Sequence, residues 1–126
     1  LDKPGGLAPE LIAQTARFAL NHDYHVVLEG ILAAARYADM ITSLLRSHRG
    51  ENFVFYLDVS LEETLRRHSL RPQASQFTGD DMRGWYLPRD LLGVDGEHVV
   101  EETSSFDDSV AFIARIAGFP LVGATA

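Results

Sequence analysis

Hydrophobic residues follow two spacings along the chain, one typical of amphipathic helices and one typical of short buried strands. Helical spacing predicts helices at residues 9–21, 32–48, 60–71 and 105–117. Short apolar runs predict strands at residues 24–28, 53–59 and 97–101. Strands that alternate with helices of these lengths favour parallel pairing, with the helices packed on the sheet. The pattern therefore predicts an α/β layered fold.

The segment YLDVSLEETLRRHSLR, residues 56–71, runs from the second predicted strand into a helix. Ser60 is followed three residues later by Glu63, which matches a capping box and predicts that the helix begins there. Pro72 ends the helix, because a residue that precedes proline is disfavoured in the helical conformation.

Three arginines lie at the C-terminal end of this predicted helix: Arg66, Arg67 and Arg71. Arg67 and Arg71 are four residues apart and are expected to share one helix face. Planar guanidinium groups suit phosphate, because they bind two oxygens at once and neutralise charge during phosphoryl transfer. The alternative is that these arginines only complement the helix dipole and pair with Glu62, Glu63 or the aspartates of the segment that follows. The sequence leaves both interpretations open.

The residues just after each predicted strand are the next candidates, because ligands of α/β sheets bind outside the carboxyl ends of the strands. These residues are Glu29, Gly30, Asp58, Ser60, Thr103 and Ser104. A carboxylate such as Glu29 can hold Mg²⁺, and the glycine that follows it lets a substrate approach the backbone. The alternative is that Glu29 is solvated and that Gly30 only serves a turn.

Residues 72–96 form a polar, glycine-containing connector that begins directly after the arginines. We interpret this connector as a lid, since lids that exclude water are common in phosphotransferases. Its Trp85 and Tyr86 either stack on a bound base or sugar or close the lid's own small core. Asp80 and Asp81 are expected to be helix caps or arginine partners.

Composition narrows the class of protein. The chain has 126 residues, of which 46% are hydrophobic, and this is enough for one globular domain covering residues 1–126. The formal charge of −7 argues against a nucleic-acid partner, and no apolar run approaches the roughly 20 residues of a membrane span. The chain has no cysteine, which fits a reducing compartment, so we expect a cytoplasmic protein.

Four segments, in their order along the chain, resemble P-loop small-molecule kinases of the zeta-toxin and chloramphenicol-phosphotransferase-like group. They are VVLEGIL, FVFYLDVSLEETLRRHSLRP, DDMRGWYLPRDLLG and EETSSFDDSV. The resemblance covers about residues 9–118. It implies a three-layer fold with a parallel sheet, ATP and Mg²⁺ as cofactors, and transfer of the γ-phosphoryl group to a hydroxyl of a small molecule.

The resemblance also implies roles for individual residues. Glu29 would be the Walker-B-like carboxylate near Mg²⁺. Arg67 and Arg71 would contact the ATP phosphates and neutralise charge during transfer. Arg66 and Ser104 would bind the nucleotide, with Ser104 near the adenine ring.

The phosphate acceptor would contact Gly30 and Arg36. The 126 residues contain no G-x-x-x-x-G-K-[ST] loop, so the resemblance implies that the P-loop, its strand, a neighbouring strand and the acceptor base precede Leu1. An inhibitor protein is a further implied partner if the enzyme is toxin-like. The alternative function is a non-catalytic kinase-like module that lost its P-loop and binds a protein partner or a regulatory nucleotide.

Overall fold

The computed structural model describes residues 3–121 as a mixed α/β protein with two compact units. These residues form five α-helices, one short 3₁₀ helix and a two-stranded parallel sheet. The elements are α1 (Ala8–Leu20), α2 (Ala34–Ser47), β1 (Phe55–Asp58), α3 (Leu61–Ser69), α4 (Gly79–Trp85), β2 (His98–Glu101) and α5 (Phe106–Ala117). The first unit ends at Asn52 and also includes Asp90–Val94, and the second comprises Phe53–Arg89 and the residues from Asp95 onward.

The first unit is built from α1 packed on α2. The residues that α1 and α2 bury recur every three to five positions, which places them on one side of each helix. They are Ala8, Ala13, Ala16, Tyr37, Ile41 and Leu44, each 4–8% exposed. Small side chains on α1 therefore face larger ones on α2.

A distant carboxylate caps the N-terminus of α2. The residue at the N-cap position is Ala33, which has no side-chain acceptor for the first free N–H groups of the helix. Asp90 supplies one instead, since its Oδ2 accepts a hydrogen bond of 2.8 Å from the backbone N–H of Ala34. Asp90, together with residues 91–94, belongs to the same unit as α2.

The C-terminal end of α1 is a Schellman motif with an aspartate in the left-handed position. The Tyr24 N–H donates to the Ala19 carbonyl (3.1 Å), and the Asp23 N–H donates to the Leu20 carbonyl (3.2 Å). Asp23 has a φ of 63°, a conformation that costs an L residue free energy and that glycine adopts readily. The end of α5 repeats the pattern with Gly118, whose φ is 75°, in that position.

Substitutions at the left-handed positions of these two motifs should change the free energy of unfolding in opposite directions. Asp23→Gly removes the left-handed penalty and should raise the free energy of unfolding by about 0.5–1 kcal/mol. Gly118→Ala introduces that penalty and should lower the free energy of unfolding by about 1 kcal/mol. Urea unfolding of both variants checks this, and a change of the same sign in both would contradict it.

The segment 24–28 differs from the sequence prediction, because the structure has no strand there. Among the described residues, the backbone groups of residues 26–31 have no hydrogen-bond partner, and a strand exists only beside a neighbour that provides such partners. Several side chains of this segment are also exposed, including Val27 at 89% and Tyr24 at 70%. The apolar run at residues 24–28 therefore has the hydrophobic pattern of a strand, but no neighbouring strand among the described residues pairs with it.

The second unit is organised around the parallel pair of β1 and β2. Phe55 lies opposite His98, and Asp58 lies opposite Glu101. The Phe112 ring of α5 contacts the Phe55 ring edge-on at 6.1 Å and the His98 ring at 5.9 Å. Because the strands are parallel, their carboxyl ends meet at the same edge of the sheet.

Candidate functional site

Polar side chains gather at the carboxyl ends of β1 and β2, within the second unit. They come from the ends of both strands, from α3 and from the residues that follow α4. We call this group the carboxyl-end cluster, and it consists of Asp58, Ser60, Glu63, Arg67, Tyr86, Arg89, Glu102 and Ser104. Parallel pairing is the reason that these residues share one edge.

Glu102, directly after β2, caps the N-terminus of α3. Its Oε2 accepts hydrogen bonds from the Ser60 backbone N–H (2.9 Å) and from the Ser60 hydroxyl (2.8 Å). Both bonds lower the pKa of Glu102 below its ordinary value, and the bond from the Ser60 backbone N–H has the larger effect. Ser60 accepts from the Glu63 N–H at 3.2 Å, as predicted, but Glu102 takes the place of the Glu63 carboxylate in the capping box.

Glu63 instead pairs with two arginines of its own helix. Its carboxylate accepts from Arg66 and from Arg67, each at 2.7 Å, and these bonds lower its pKa to about 2. Arg67 also donates to the backbone carbonyl of Glu102 at 2.9 Å. The guanidinium of Arg67 thus reaches from α3 to the carboxyl end of β2.

The lowered pKa of Glu63 predicts a pH dependence of stability. Because the folded protein binds this proton more weakly than the unfolded chain does, Glu63 stabilises the fold above its ordinary pKa of 4.5. That contribution is lost as the pH falls from 4.5 towards about 2. Glu63→Gln should therefore flatten the fall in urea midpoint over this range, whereas Glu62→Gln, at an exposed position one residue earlier, should not. Equal slopes for both variants would contradict this role of Glu63.

Two bonds join the connector after α4 to the end of β1. Arg89 pairs with Asp58, and the Tyr86 hydroxyl donates to the Val59 carbonyl at 2.7 Å. Burial raises the pKa of Tyr86, with smaller contributions from neighbouring acidic groups, so the hydroxyl stays a donor at neutral pH. Arg89 has a φ of 45°, which is unusual for a residue with a side chain.

Two aromatic residues of the predicted lid, Phe77 and Trp85, pack on one another. Phe77 stacks on His68 of α3 with ring centroids 4.4 Å apart, and Trp85 lies 5.2 Å from Phe77. His68 is only 6% exposed, and its Nε2 is 3.0 Å from the Phe77 carbonyl. Of the two interpretations of Trp85, this arrangement favours a small core within the lid.

The two aspartates of α4 have the structural roles that the sequence predicted. Thr78 and Asp81 form a complete capping box, in which the Thr78 backbone N–H and then its hydroxyl lower the pKa of Asp81. Asp80 pairs with Arg83 at 2.7 Å. Both carboxylates therefore stabilise α4 itself.

The structure places the predicted arginines differently. Arg66 and Arg67 lie in the last turns of α3, as expected. Arg71 lies beyond the helix, which ends at Ser69, and has an extended backbone with φ −91° and ψ 149°. The expectation that Arg67 and Arg71 share a helix face is therefore wrong, because Pro72 forces the preceding residue out of the helical conformation. The guanidinium of Arg71 is exposed and has no partner among residues 3–121.

The remaining predicted site residues fall into both units. Ser104 belongs to the second unit, where its hydroxyl accepts from Ser109 at 2.9 Å. Glu29, Gly30 and Arg36 belong to the first unit, and the first two are exposed. Arg36 donates to the Lys3 carbonyl at 2.5 Å, and its guanidinium lies 5.4 Å from the ring of the adjacent tyrosine.

The fit of the implied cofactors can be judged from the donor groups. In the part of the chain that the structure describes, no three His, Asp or Glu side chains are grouped to hold a metal ion. A lone carboxylate such as Glu29 nevertheless fits Mg²⁺, which proteins commonly bind through one or two carboxylates together with substrate phosphates and water. The exposed arginines around residues 66–71 have the chemistry that phosphate groups require.

Four members of the carboxyl-end cluster were not predicted from the sequence as residues of this sheet edge. Glu63 was expected only as a helix cap and as an arginine partner. Glu102 follows a strand, so the rule that selected Ser104 could have found it. Tyr86 was considered only as a stacking group. Arg89 carries no local signal, because its partner Asp58 is 31 residues away.

Comparisons complete the description of the chain. None of the helices in residues 3–121 has the length and apolar character required to cross a membrane. Comparison with protein-family models, with curated proteins and with solved structures found no match.

Proposed function

We propose that this chain is part of an ATP-dependent kinase that transfers the γ-phosphoryl group to a hydroxyl of a small molecule, within a three-layer fold of the P-loop kinase type. The observation that carries the proposal is the position of Arg67. Its guanidinium reaches the carboxyl end of β2, at the sheet edge where ligands of parallel α/β proteins bind. Arg71, exposed and without a partner among the described residues, adds a second cation four positions on.

The two arginines differ in what holds them. Arg67 is positioned by Glu63 and by the Glu102 carbonyl, so its guanidinium is oriented before any phosphate arrives. Arg71 has no such support and is free to follow a phosphate group as charge spreads over its oxygens. Arg66, paired with Glu63 and 60% exposed in its side chain, would take part in nucleotide binding.

The other proposed residues serve binding. Glu29 would hold Mg²⁺, and ATP with that ion would supply the transferred group and neutralise part of its charge. Ser104 would contact the nucleotide, while Gly30 and Arg36 would contact the acceptor. We place the reaction in the cytoplasm, which suits a chain without cysteine. The partners are the acceptor and, if the enzyme is toxin-like, an inhibitor protein.

The test is an assay of the native full-length protein with ATP, Mg²⁺ and a panel of small hydroxyl compounds, including amino sugars and nucleotide sugars. We expect at least one acceptor to stimulate ADP release and to yield one phosphate ester per ADP by phosphorus NMR. Nucleotide that is neither bound nor consumed with any acceptor would contradict the proposal.

A second candidate is a non-catalytic binding module. It is favoured by large apolar side chains that are exposed in the first unit, among them Val27 (89%), Ile31 (76%) and Phe18 (68%). Exposed apolar groups of this kind often mark contacts with another protein. Failure of the kinase assay, together with a protein partner whose binding is lost in Val27→Asp, would favour this module.

A further inference from the structure

The segment between α3 and residue 90 makes two different kinds of contact with the rest of the second unit. We call residues 72–89 the strap. It contains the 3₁₀ helix Pro72–Ser75 and α4. Only seven residues long and containing two glycines, α4 is too short to be stable by itself, so its order depends on how the strap is attached.

The first attachment is aromatic, with His68 buried, Phe77 half-buried and Trp85 47% exposed. His68 of α3 stacks on Phe77 with an angle of 14° between the rings and a hydrogen bond to the Phe77 carbonyl. Trp85 covers the other side of this small core through its contact with Phe77. Opening this end would expose His68 and Phe77 to water, which makes it the more stable end.

The second attachment is polar and consists of two bonds. Arg89 pairs with Asp58, and the Tyr86 hydroxyl donates to the Val59 carbonyl. The Asp58 side chain is only 16% exposed in this arrangement, whereas the Arg89 side chain is 59% exposed. An ion pair with one exposed partner contributes little stability, and its acceptor regains water when it opens.

The backbone at Arg89 supports the same interpretation. A non-glycine residue with φ 45° persists only where the surrounding contacts hold it, and the contacts at this position are the pair with Asp58 and, at the next residue, the bond from the Ala34 N–H to Asp90. Release of the pair would remove the contact that the Arg89 side chain itself makes. The polar end of the strap is thus the end that opens first.

We propose that the strap is a conformational device with a fixed aromatic end and a releasable latch, the latch being Arg89 on Asp58 together with Tyr86 on the Val59 carbonyl. When the latch opens, the strap lifts from the carboxyl end of β1 and uncovers the Asp58 carboxylate. The Arg89 guanidinium and the Asp58 carboxylate, which neutralise each other in the closed form, can then bind other groups at the sheet edge. This device does not depend on the kinase activity proposed above.

Hydrogen exchange of the full chain tests the latch, because α4 ends at Trp85, directly before the latch residue Tyr86, and its last turn should loosen when the latch opens. The reporters are the amides of Met82 and Tyr86, which donate to the Thr78 and Met82 carbonyls at 3.1 and 3.0 Å. Arg89→Gln should speed their exchange by about fivefold. The His98 amide, which bonds to the Val54 carbonyl beside the sheet, should keep its rate.

Arg83→Gln is the matched control. Arg83 is 55% exposed in its side chain, close to the 59% of Arg89, and also pairs with an aspartate, but its partner Asp80 lies within α4. Its loss should change exchange at the reporter amides by less than about twofold. Tyr86→Phe, which removes the other latch bond, should act like Arg89→Gln.

The proposal is overturned if neither latch variant speeds exchange in α4 more than Arg83→Gln does. It is also overturned if both latch variants speed exchange at His98 as much as in α4, because the bonds would then support the whole unit rather than release the strap.

Discussion

Arg71→Ala is expected to lower phosphotransfer by the native full-length protein by about 10²–10³-fold while leaving its thermal stability almost unchanged. The reason is that the guanidinium of Arg71 is exposed and has no partner among the described residues, so its removal breaks no contact in that part of the fold. Arg67→Ala is a less clean test, because it also removes the bonds to Glu63 and to the Glu102 carbonyl. The measurement is kcat and KM with ATP, alongside a melting curve.

Two controls sharpen the result. Arg71→Lys keeps the charge but not the planar fork and should recover part of the activity. Arg49→Ala removes another exposed arginine, in the first unit, that also has no partner in residues 3–121, and it should leave turnover unchanged. Unchanged turnover in Arg71→Ala, or equal losses in Arg71→Ala and Arg49→Ala, would rule out the role assigned to Arg71.

Ile41→Ala is expected to lower the free energy of unfolding by about 2–5 kcal/mol. Ile41 is 8% exposed and lies between Tyr37 and Leu44 on the face of α2 that packs on α1. The alanines of α1 cannot extend into the space that the lost side chain leaves, so a cavity persists and adds to the lost burial. Because few residues of the first unit are buried, a loss of this size should unfold it near room temperature.

The matched control is Ile31→Ala, which deletes the same atoms at a position that is 76% exposed. It should change the free energy of unfolding by less than about 0.5 kcal/mol. Urea unfolding followed by circular dichroism measures both variants. If Ile41→Ala and Ile31→Ala lower the free energy of unfolding equally, the burial of Ile41 between α1 and α2 is not the source of stability that we infer.

Helix positions were predictable because their signals are local. The predicted helix at 9–21 corresponds to Ala8–Leu20, and the one at 105–117 corresponds to Phe106–Ala117. Ser105 caps the latter by accepting from the Asp108 N–H at 3.1 Å, a contact between residues three apart. The helix end at Arg71 was misjudged by two residues, although Pro72 already carried the necessary restriction.

Strand pairing was less predictable because it depends on a distant partner. The apolar run at residues 24–28 has strand-like composition, yet the described chain offers it no hydrogen-bonded neighbour. The runs at residues 53–59 and 97–101 became β1 and β2 because they pair with each other. Composition selects candidates for a sheet, and tertiary contacts decide which of them enter it.

The sequence by itself determined the mixed α/β class, four of the five α-helices in residues 3–121, and the local caps at Ser60 and Ser105, because residues within one turn of each other supply those contacts. Only the tertiary structure decided the partners across the cluster and at the start of α2. These bonds join Glu102 to Ser60, Arg89 to Asp58 and Asp90 to Ala34, across 42, 31 and 56 residues respectively. No periodicity in the chain encodes such pairs, since the path of the folded backbone brings each donor to its acceptor.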